Sequence, residues 1–307
     1  MQIGMVGLGR MGANMVLRLL RNGHECVVFD IDAPKVKNLT EAGAKGASTL
    51  LDLVSTLDRP RTLWVMLPAG PPTEETITAL AELVDSGDLI VDGGNSHYRE
   101  DARKEAMLGK KGVHYLDVGL SGGIWGLEQG YSIMIGGEAD DVKRLKPVLE
   151  ALASSPDKGW GHVGPTGAGH YVKMVHNGMI YGLLQAYAEG FELLKNKKEY
   201  DLDLHGIADI WRYSSVARSW LLDLISAALE EDQDLEDIAP HIADSGEGRW
   251  TVMEAIEQNC SIPIISLSLL RRLRSREEAP YSDRLIAKLR NLFGGHDLPK
   301  ASSTPQT

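Results

Sequence analysis

Lys173 and Asn177 lie four residues apart in the run Val172-Lys173-Met174-Val175-His176-Asn177-Gly178. A helix through them brings an amine and an amide to one face, together with His176 and Ile180. A lysine is neutral near pH 7 only when it is desolvated or faces another cation, and a neutral amine can take a proton from an alcohol. Val172, Met174 and Val175 supply an apolar setting, so we expect a proton-transfer site here, with a plain surface lysine as the alternative. His176 is open to two uses: binding a ligand beside Asn177, or satisfying backbone groups.

A second constellation stands near the start. Gly7-Leu8-Gly9-Arg10-Met11-Gly12 follows a short apolar run at once and opens a helical pattern, which lets the backbone amides of a helix start face a pyrophosphate. The glycines suit three tasks: a tight turn at Gly7, close approach of phosphate at Gly9, and tight helix packing at Gly12. Asp30 closes the next strand about twenty residues on, where a carboxylate accepts hydrogen bonds from both adenine ribose hydroxyls and repels a 2'-phosphate. No arginine follows it, although Lys35 and Lys37 are near, and the expected cofactor is NAD rather than NADP. Leu67, in Met66-Leu67-Pro68-Ala69-Gly70, ends a later strand and by topology runs beside the dinucleotide. Two further glycine-rich stretches end strands, where open parallel sheets bind ligands: Asp92-Gly93-Gly94-Asn95-Ser96 and Leu120-Ser121-Gly122-Gly123. Asn95, Ser121 and the amides of Gly122 and Gly123 offer groups for a carboxylate or sugar oxygens. Each alone could be a turn; with Lys173 and Asn177 they form a polar cluster.

The elements that must carry these residues follow from patterning. Up to about residue 164, short apolar runs at 3–6, 26–30, 63–67, 89–92, 115–118 and 132–135 alternate with amphipathic stretches such as 11–22, 74–84 and 141–153, punctuated by Gly23, Asp88 and Gly112. That is the pattern of an α/β, Rossmann-type doubly wound sheet. Beyond it the periodicity is helical, opening with the longest expected helix, 169–197. Residues 262–265 are the one strand-like run there, weakened by Pro263. The expected domains are a dinucleotide-binding domain at 1–165, an all-helical domain at 166–297, and a disordered tail at 298–307.

Composition narrows the ligands. With 307 residues, 43% hydrophobic content and a formal net charge of -11, the chain can bury a large core but has no general attraction for nucleic acid or anionic membrane. An anionic ligand must be caught by local cations, and Arg271-Arg272-Leu273-Arg274-Ser275-Arg276 is the densest basic run. Cys26 and Cys260 match no metal-ligand spacing, so no metal is expected, and they fit a reducing cytoplasm. No secretion signal and no membrane-spanning run is expected.

Several of these motifs are specific in combination. The glycine fingerprint, Asp92-Gly93-Gly94-Asn95-Ser96, Ser121-Gly122-Gly123-Ile124-Trp125-Gly126, the Val172 to Gly178 run and Arg290-Asn291-Leu292-Phe293-Gly294-Gly295-His296 together resemble the short, NAD-dependent 6-phosphogluconate dehydrogenases of the beta-hydroxyacid dehydrogenase superfamily, nearly end to end. The resemblance implies oxidative decarboxylation of a sugar phosphate, 6-phosphogluconate, to ribulose 5-phosphate. It gives Lys173 as the base at the C3 hydroxyl, with Asn177, Asn95, Ser121, Gly122, Gly123 and His176 on the substrate. It also implies Arg272 and Tyr181 at the phosphate, Arg290 and His296 reaching a neighbouring subunit's site, and a homodimer or dimer of dimers. Asp244-Ser245-Gly246-Glu247-Gly248-Arg249-Trp250 resembles a shortened family signature. Two positions depart from the pattern: Leu120 stands where short forms carry a small polar residue, and Ile180 where the family places the glutamate that protonates the final enediol. Glu128 and His176 are candidates to replace that acid. The departure leaves two other readings open, a related beta-hydroxyacid dehydrogenase acting on another substrate and a catalytically silent NAD-binding protein.

Overall fold

The computed structural model describes residues 1–277 and 280–294. Eight strands, β1 (Gln2–Val6), β2 (Glu25–Phe29), β3 (Lys45–Gly46), β4 (Thr62–Val65), β5 (Leu89–Asp92), β6 (His114–Ser121), β7 (Ser132–Gly137) and β8 (Trp160–Gly164), form one sheet in the order 3-2-1-4-5-6-7-8. Every pairing is parallel except that of β6 with β7. The order reverses between β1 and β4, which opens a crevice at the carboxyl ends of those strands. The six runs expected as strands are β1, β2 and β4 to β7. The other two strands, β3 and β8, lie at the sheet edges, where one flank has no neighbour and no continuous apolar run is needed.

Helices α1 (Arg10–Arg21), α2 (Ala33–Glu41), α3 (Leu50–Thr56), α4 (Pro71–Ala81), α5 (Asp101–Gly109), α6 (Gly126–Gln129) and α7 (Ala139–Leu152) connect the strands. The α4 helix starts earlier than its apolar pattern predicts because Pro71 and Pro72 fit a first turn, where no intrahelical amide is required. Alternation along each strand fills two cores. Ile3, Met5, Cys26, Val28, Trp64, Leu89 and Val91 point to one face of the sheet, and Val6, Val27, Leu63, Val65 and Ile90 to the other. Leu120 joins the first of these cores.

Beyond β8 the described elements are helical: α8 (Ala168–Asn196), α9 (Leu204–Arg212), α10 (Trp220–Glu231), α11 (Glu247–Glu257), α12 (Pro263–Arg274) and α13 (Tyr281–Gly294). Residues 263–265, expected as a weak strand, begin α12, since Pro263 occupies a first helical position. By compactness the chain forms two units, Met1–Ile180 with Gly246–Ser261, and Tyr181–Ser245 with Ile262–Thr307. Residues 166–180 and α11 therefore pack with the sheet. The helical unit has its own small core of Phe191, Leu204, Ala208, Leu222 and Leu229. The expected tail at 298–307 lies outside the described residues. Among the described residues no helix is long and apolar enough to cross a membrane.

Candidate functional site

The turn between β1 and α1 is shaped by its glycines. Gly7 has φ +94°, and a Cβ there would lie 2.4 Å from the Met66 carbonyl oxygen and 2.8 Å from Leu67 Cδ2. At Gly12 a Cβ would lie 2.0 Å from the Gly7 carbonyl, whereas at Gly9 it would meet nothing within 4 Å. Gly9 thus leaves open space at the start of α1, where no side chain caps the helix and the leading amides are left for an anion. Leu8 and Met11 pack in or against the core, while Arg10 is exposed. The Asp30 carboxylate accepts from Leu8 N at 2.7 Å and from Asp32 N at 2.9 Å, so it also braces the turn. Lys35 sits 3.2 Å from Asp32 and 3.9 Å from Asp30.

Lys173 stands on the first part of α8, pressed against the sheet. A Cβ on Gly119 of β6 would lie 2.3 Å from Lys173 Cβ, and one on Gly169 would lie 2.5 Å from the Asp117 carbonyl oxygen. Only glycine lets helix and strand approach this closely. Lys173 is 8% exposed, and burial pushes its ammonium down to about 8 against the opposing charge of Glu247. Its Nζ donates to Asn177 Oδ1 at 2.7 Å, and Asn177 Nδ2 donates to Glu247 Oε1 at 3.2 Å. A donor on one side and a carboxylate on the other fix which way the amide faces. His176 Nδ1 lies 3.2 Å from the same Asn177 oxygen, and its Nε2 lies 3.5 Å from Ser121 Oγ. Burial, then the charge of Lys173, holds His176 below its ordinary value, so it is neutral at pH 7. Lys173, His176, Asn177 and Ser121 are therefore brought together, with Gly122 and Gly123 continuing the strand end at φ +128° and +55°.

A buried ionic network supports this cluster and the Asn95 loop. Asp117 of β6 accepts from Gly167 N at 2.7 Å and His170 N at 2.8 Å, capping the start of α8. His170 Nδ1 meets Asp101 at 2.8 Å, Lys104 reaches Asp92 at 2.7 Å, and Asp92 in turn holds Gly94 N and Ser96 Oγ on either side of exposed Asn95. Burial works against a charged His170, yet Asp101, Asp92 and Asp117 overcome it and raise the imidazole to about 9. Asp92, Asp101 and His170 also lie close enough to offer three metal ligands, but Lys104 Nζ, 2.7 Å and 3.5 Å from the two carboxylates, already supplies the cation.

In the helical unit, the Arg272 guanidinium lies 3.5 Å from the centre of the Tyr181 ring and donates to the Ala243 carbonyl. Tyr181 OH is buried without a hydrogen-bond partner among the described residues. Arg290 is exposed on α13, and His296 lies outside the described residues.

Residues 2–164 match the family model for the NAD binding domain of 6-phosphogluconate dehydrogenase, and residues 169–287 match that for the 6-phosphogluconate dehydrogenase C-terminal domain. The chain belongs to the 6-phosphogluconate dehydrogenase family. It is 46% identical over 301 residues to an NAD(+)-dependent, decarboxylating 6-phosphogluconate dehydrogenase of Haloferax volcanii, covering 98% of this chain and 99% of that protein. A Bacillus subtilis enzyme of the same description is 34% identical, over 93% of this chain and 64% of that one. Among solved structures, a Plasmodium falciparum 6-phosphogluconate dehydrogenase, studied with NADP+ and with its substrate 6-phosphogluconate, superposes with a TM-score of 0.83 at 27% identity, covering 99% of this chain and 67% of its own. A Mycobacterium tuberculosis 3-hydroxyisobutyrate dehydrogenase shares the fold, with a TM-score of 0.70 at 22% identity over 87% of this chain and 90% of its own.

For a member of the 6-phosphogluconate dehydrogenase family, two findings about the departures matter. Glu128, a candidate for the missing acid, is paired with Arg21 at 2.8 Å and largely exposed, so it is committed to the surface of α6 and α1. Glu247 was visible in the sequence only as part of a shortened signature, and its contact with Asn177 spans 70 residues. Asp101, Lys104, Asp117 and His170 carried no signal beyond being charged or titratable residues among many.

Proposed function

We propose that the protein catalyses NAD-dependent oxidative decarboxylation of 6-phosphogluconate to ribulose 5-phosphate and carbon dioxide, with Lys173 as the base. The observation that carries this reading is a lysine lowered by desolvation to about 8 and hydrogen-bonded to Asn177 beneath the Ser121 strand end. NAD fits the first turn: Gly9 leaves room for phosphate, Asp30 offers its carboxylate at the end of β2, and Lys35 is engaged by Asp30 and Asp32 rather than left to a 2'-phosphate. Gly7, Leu8, Gly9, Arg10, Met11, Gly12, Leu67 and Asn95 are the remaining residues proposed around the dinucleotide. When bound, NAD supplies the acceptor for the hydride from C3.

Neutral Lys173 takes the C3 hydroxyl proton as the ketone forms. The C1–C2 bond then breaks, carbon dioxide leaves, and the electron pair moves to the C3 oxygen, to which the Lys173 ammonium returns its proton. Asn177, His176, Ser121, Asn95 and the amides of Gly122 and Gly123 orient the hydroxyls and carboxylate. Arg272 and the hydroxyl of Tyr181, which has no hydrogen-bond partner among the described residues, suit the phosphate in charge and donor chemistry. We assign Arg290 and His296 to a neighbouring subunit's site in a cytoplasmic homodimer or dimer of dimers. Light scattering tests that assembly.

The reaction is tested by supplying 6-phosphogluconate and NAD and assaying NADH, carbon dioxide and ribulose 5-phosphate together. We expect one-for-one formation; no NADH with this substrate sinks the reading. A related beta-hydroxyacid dehydrogenase activity, favoured by Ile180, predicts NADH with a different hydroxyacid, phosphorylated or not, and none with 6-phosphogluconate. A silent NAD-binding protein predicts NADH with neither.

A further inference from the structure

The proposed reaction needs one more proton, at the carbon that has lost carbon dioxide, and Ile180 cannot give it. We infer that Glu247 is the proton donor for that carbon, an inference that rests on the reaction proposed above. Glu247 occupies the first turn of α11 and is 3% exposed. One of its oxygens accepts from Asn177, while the other, Oε2, is buried with no hydrogen-bond partner among the described residues. Buried polar atoms are nearly always paired, so an orphan beside a reactive lysine marks a place where a proton or a ligand group belongs.

Its position is firmly set. Thr251, one turn on, donates to the carbonyls of both Met174 and Glu247, at 3.0 and 2.8 Å. A Cβ on Gly178 would lie 2.6 Å from Thr251 Cγ2, so α11 rests directly on α8 beside Asn177. Of the other candidates, Glu128 is held by Arg21, and the neutral His176 directs Nδ1 at the Asn177 oxygen. Among the described residues, Glu247 supplies the one carboxyl hydrogen-bonded to the Lys173–Asn177 pair.

The step balances without an outside reagent. The Glu247 O–H bond breaks and a C–H bond forms at the former C2, using the enediol π pair. The C3 enol proton passes to the Lys173 amine as the carbonyl forms. Glu247, a carboxylate at rest, takes its proton from solvent before this step and the Lys173 ammonium releases one to solvent after it, so the enzyme returns to amine and carboxylate with no net proton taken up.

The test is exchange of the C1 protons of ribulose 5-phosphate with D2O in the presence of NADH, followed by NMR, with NADH binding as the check on folding. Glu247→Gln keeps an oxygen for Asn177 to donate to but has no proton to give. We expect exchange about a hundredfold slower, the low end of what a positioned acid contributes, and loss of its preference for one C1 hydrogen. Ile180→Glu added to Glu247→Gln should restore both, which no purely structural role for Glu247 explains. Exchange by Glu247→Gln at the wild-type rate and stereochemistry overturns the assignment. If Glu247→Gln loses NADH binding, Ile180→Glu alone decides: a gain under about threefold supports an existing donor, and any larger gain shows that the site lacked one. Wild-type protein that forms NADH, carbon dioxide and ribulose 5-phosphate while Glu247→Gln exchanges normally loses only this inference. Wild-type protein that forms none of them loses the reaction and the inference together.

Discussion

The first βα turn and the Lys173 cluster stand on the same sheet and are built by opposite means. The turn is backbone: three glycines, a helix start and one carboxylate, all within residues 7–30. The cluster is buried charge and amide: Lys173 to Asn177 to Glu247, steadied from below by Asp117, His170, Asp101 and Lys104, which the chain supplies from widely separated segments. A site that grips a phosphate needs amides in one local geometry. Making a lysine basic needs removal of water, and that takes the packing of several elements at once.

If that contrast holds, chemistry and cofactor grip are separable. Lys173→Met gives the largest effect, a fall in kcat of about a hundredfold to ten-thousandfold with NAD affinity retained. Single-turnover rates and NAD titration check it, and an equal loss of affinity would show the two regions to be one. Glycine substitutions sharpen the point. Gly119→Ala thrusts a methyl group against Lys173 Cβ and should cost about 1–3 kcal/mol in chemical denaturation. Gly9→Ala enters open space and should leave stability within roughly 0.5 kcal/mol while weakening NAD.

Asp30→Ala is a smaller change, an expected loss of NAD affinity of roughly tenfold to a hundredfold, since a charged hydrogen bond is worth about 1.5–3 kcal/mol. NADP affinity should fall less, because the lost clasp on Leu8 N weakens both dinucleotides while the repulsion removed concerns NADP alone, and equal weakening of both removes Asp30 as the discriminator. A last comparison separates the regions by pH alone. As the Lys173 ammonium must first lose its proton, kcat/KM should climb with pH and level off above about 8, while NAD affinity stays flat over the same range. A rate already level at pH 6 contradicts the assigned base.

Much of the scaffold is legible because its signals are local. The Gly7 to Gly12 spacing, the buried strand runs and the sustained pattern of α8 each lie within a few turns of chain. The edge strands β3 and β8 escape because they bury too little to need apolar residues. Pro263 argues against a strand but equally suits a first helical turn, and only the packed structure chooses. Lys173, His176, Asn177 and Ser121 converge as their motifs suggest. Glu247 and the network under α8 are legible only after folding, because a charged residue reads as solvated surface until tertiary contacts bury it.

The bond from Leu8 N to Asp30 bears on cofactor engineering. The carboxylate proposed to choose between NAD and NADP is also the clasp of the phosphate turn, so an exchange made for selectivity unfastens the loop that both dinucleotides share. Switching preference in this scaffold therefore calls for a replacement clasp in the same round of design, and libraries that vary position 30 alone will confound a lost fastening with a failed change of choice.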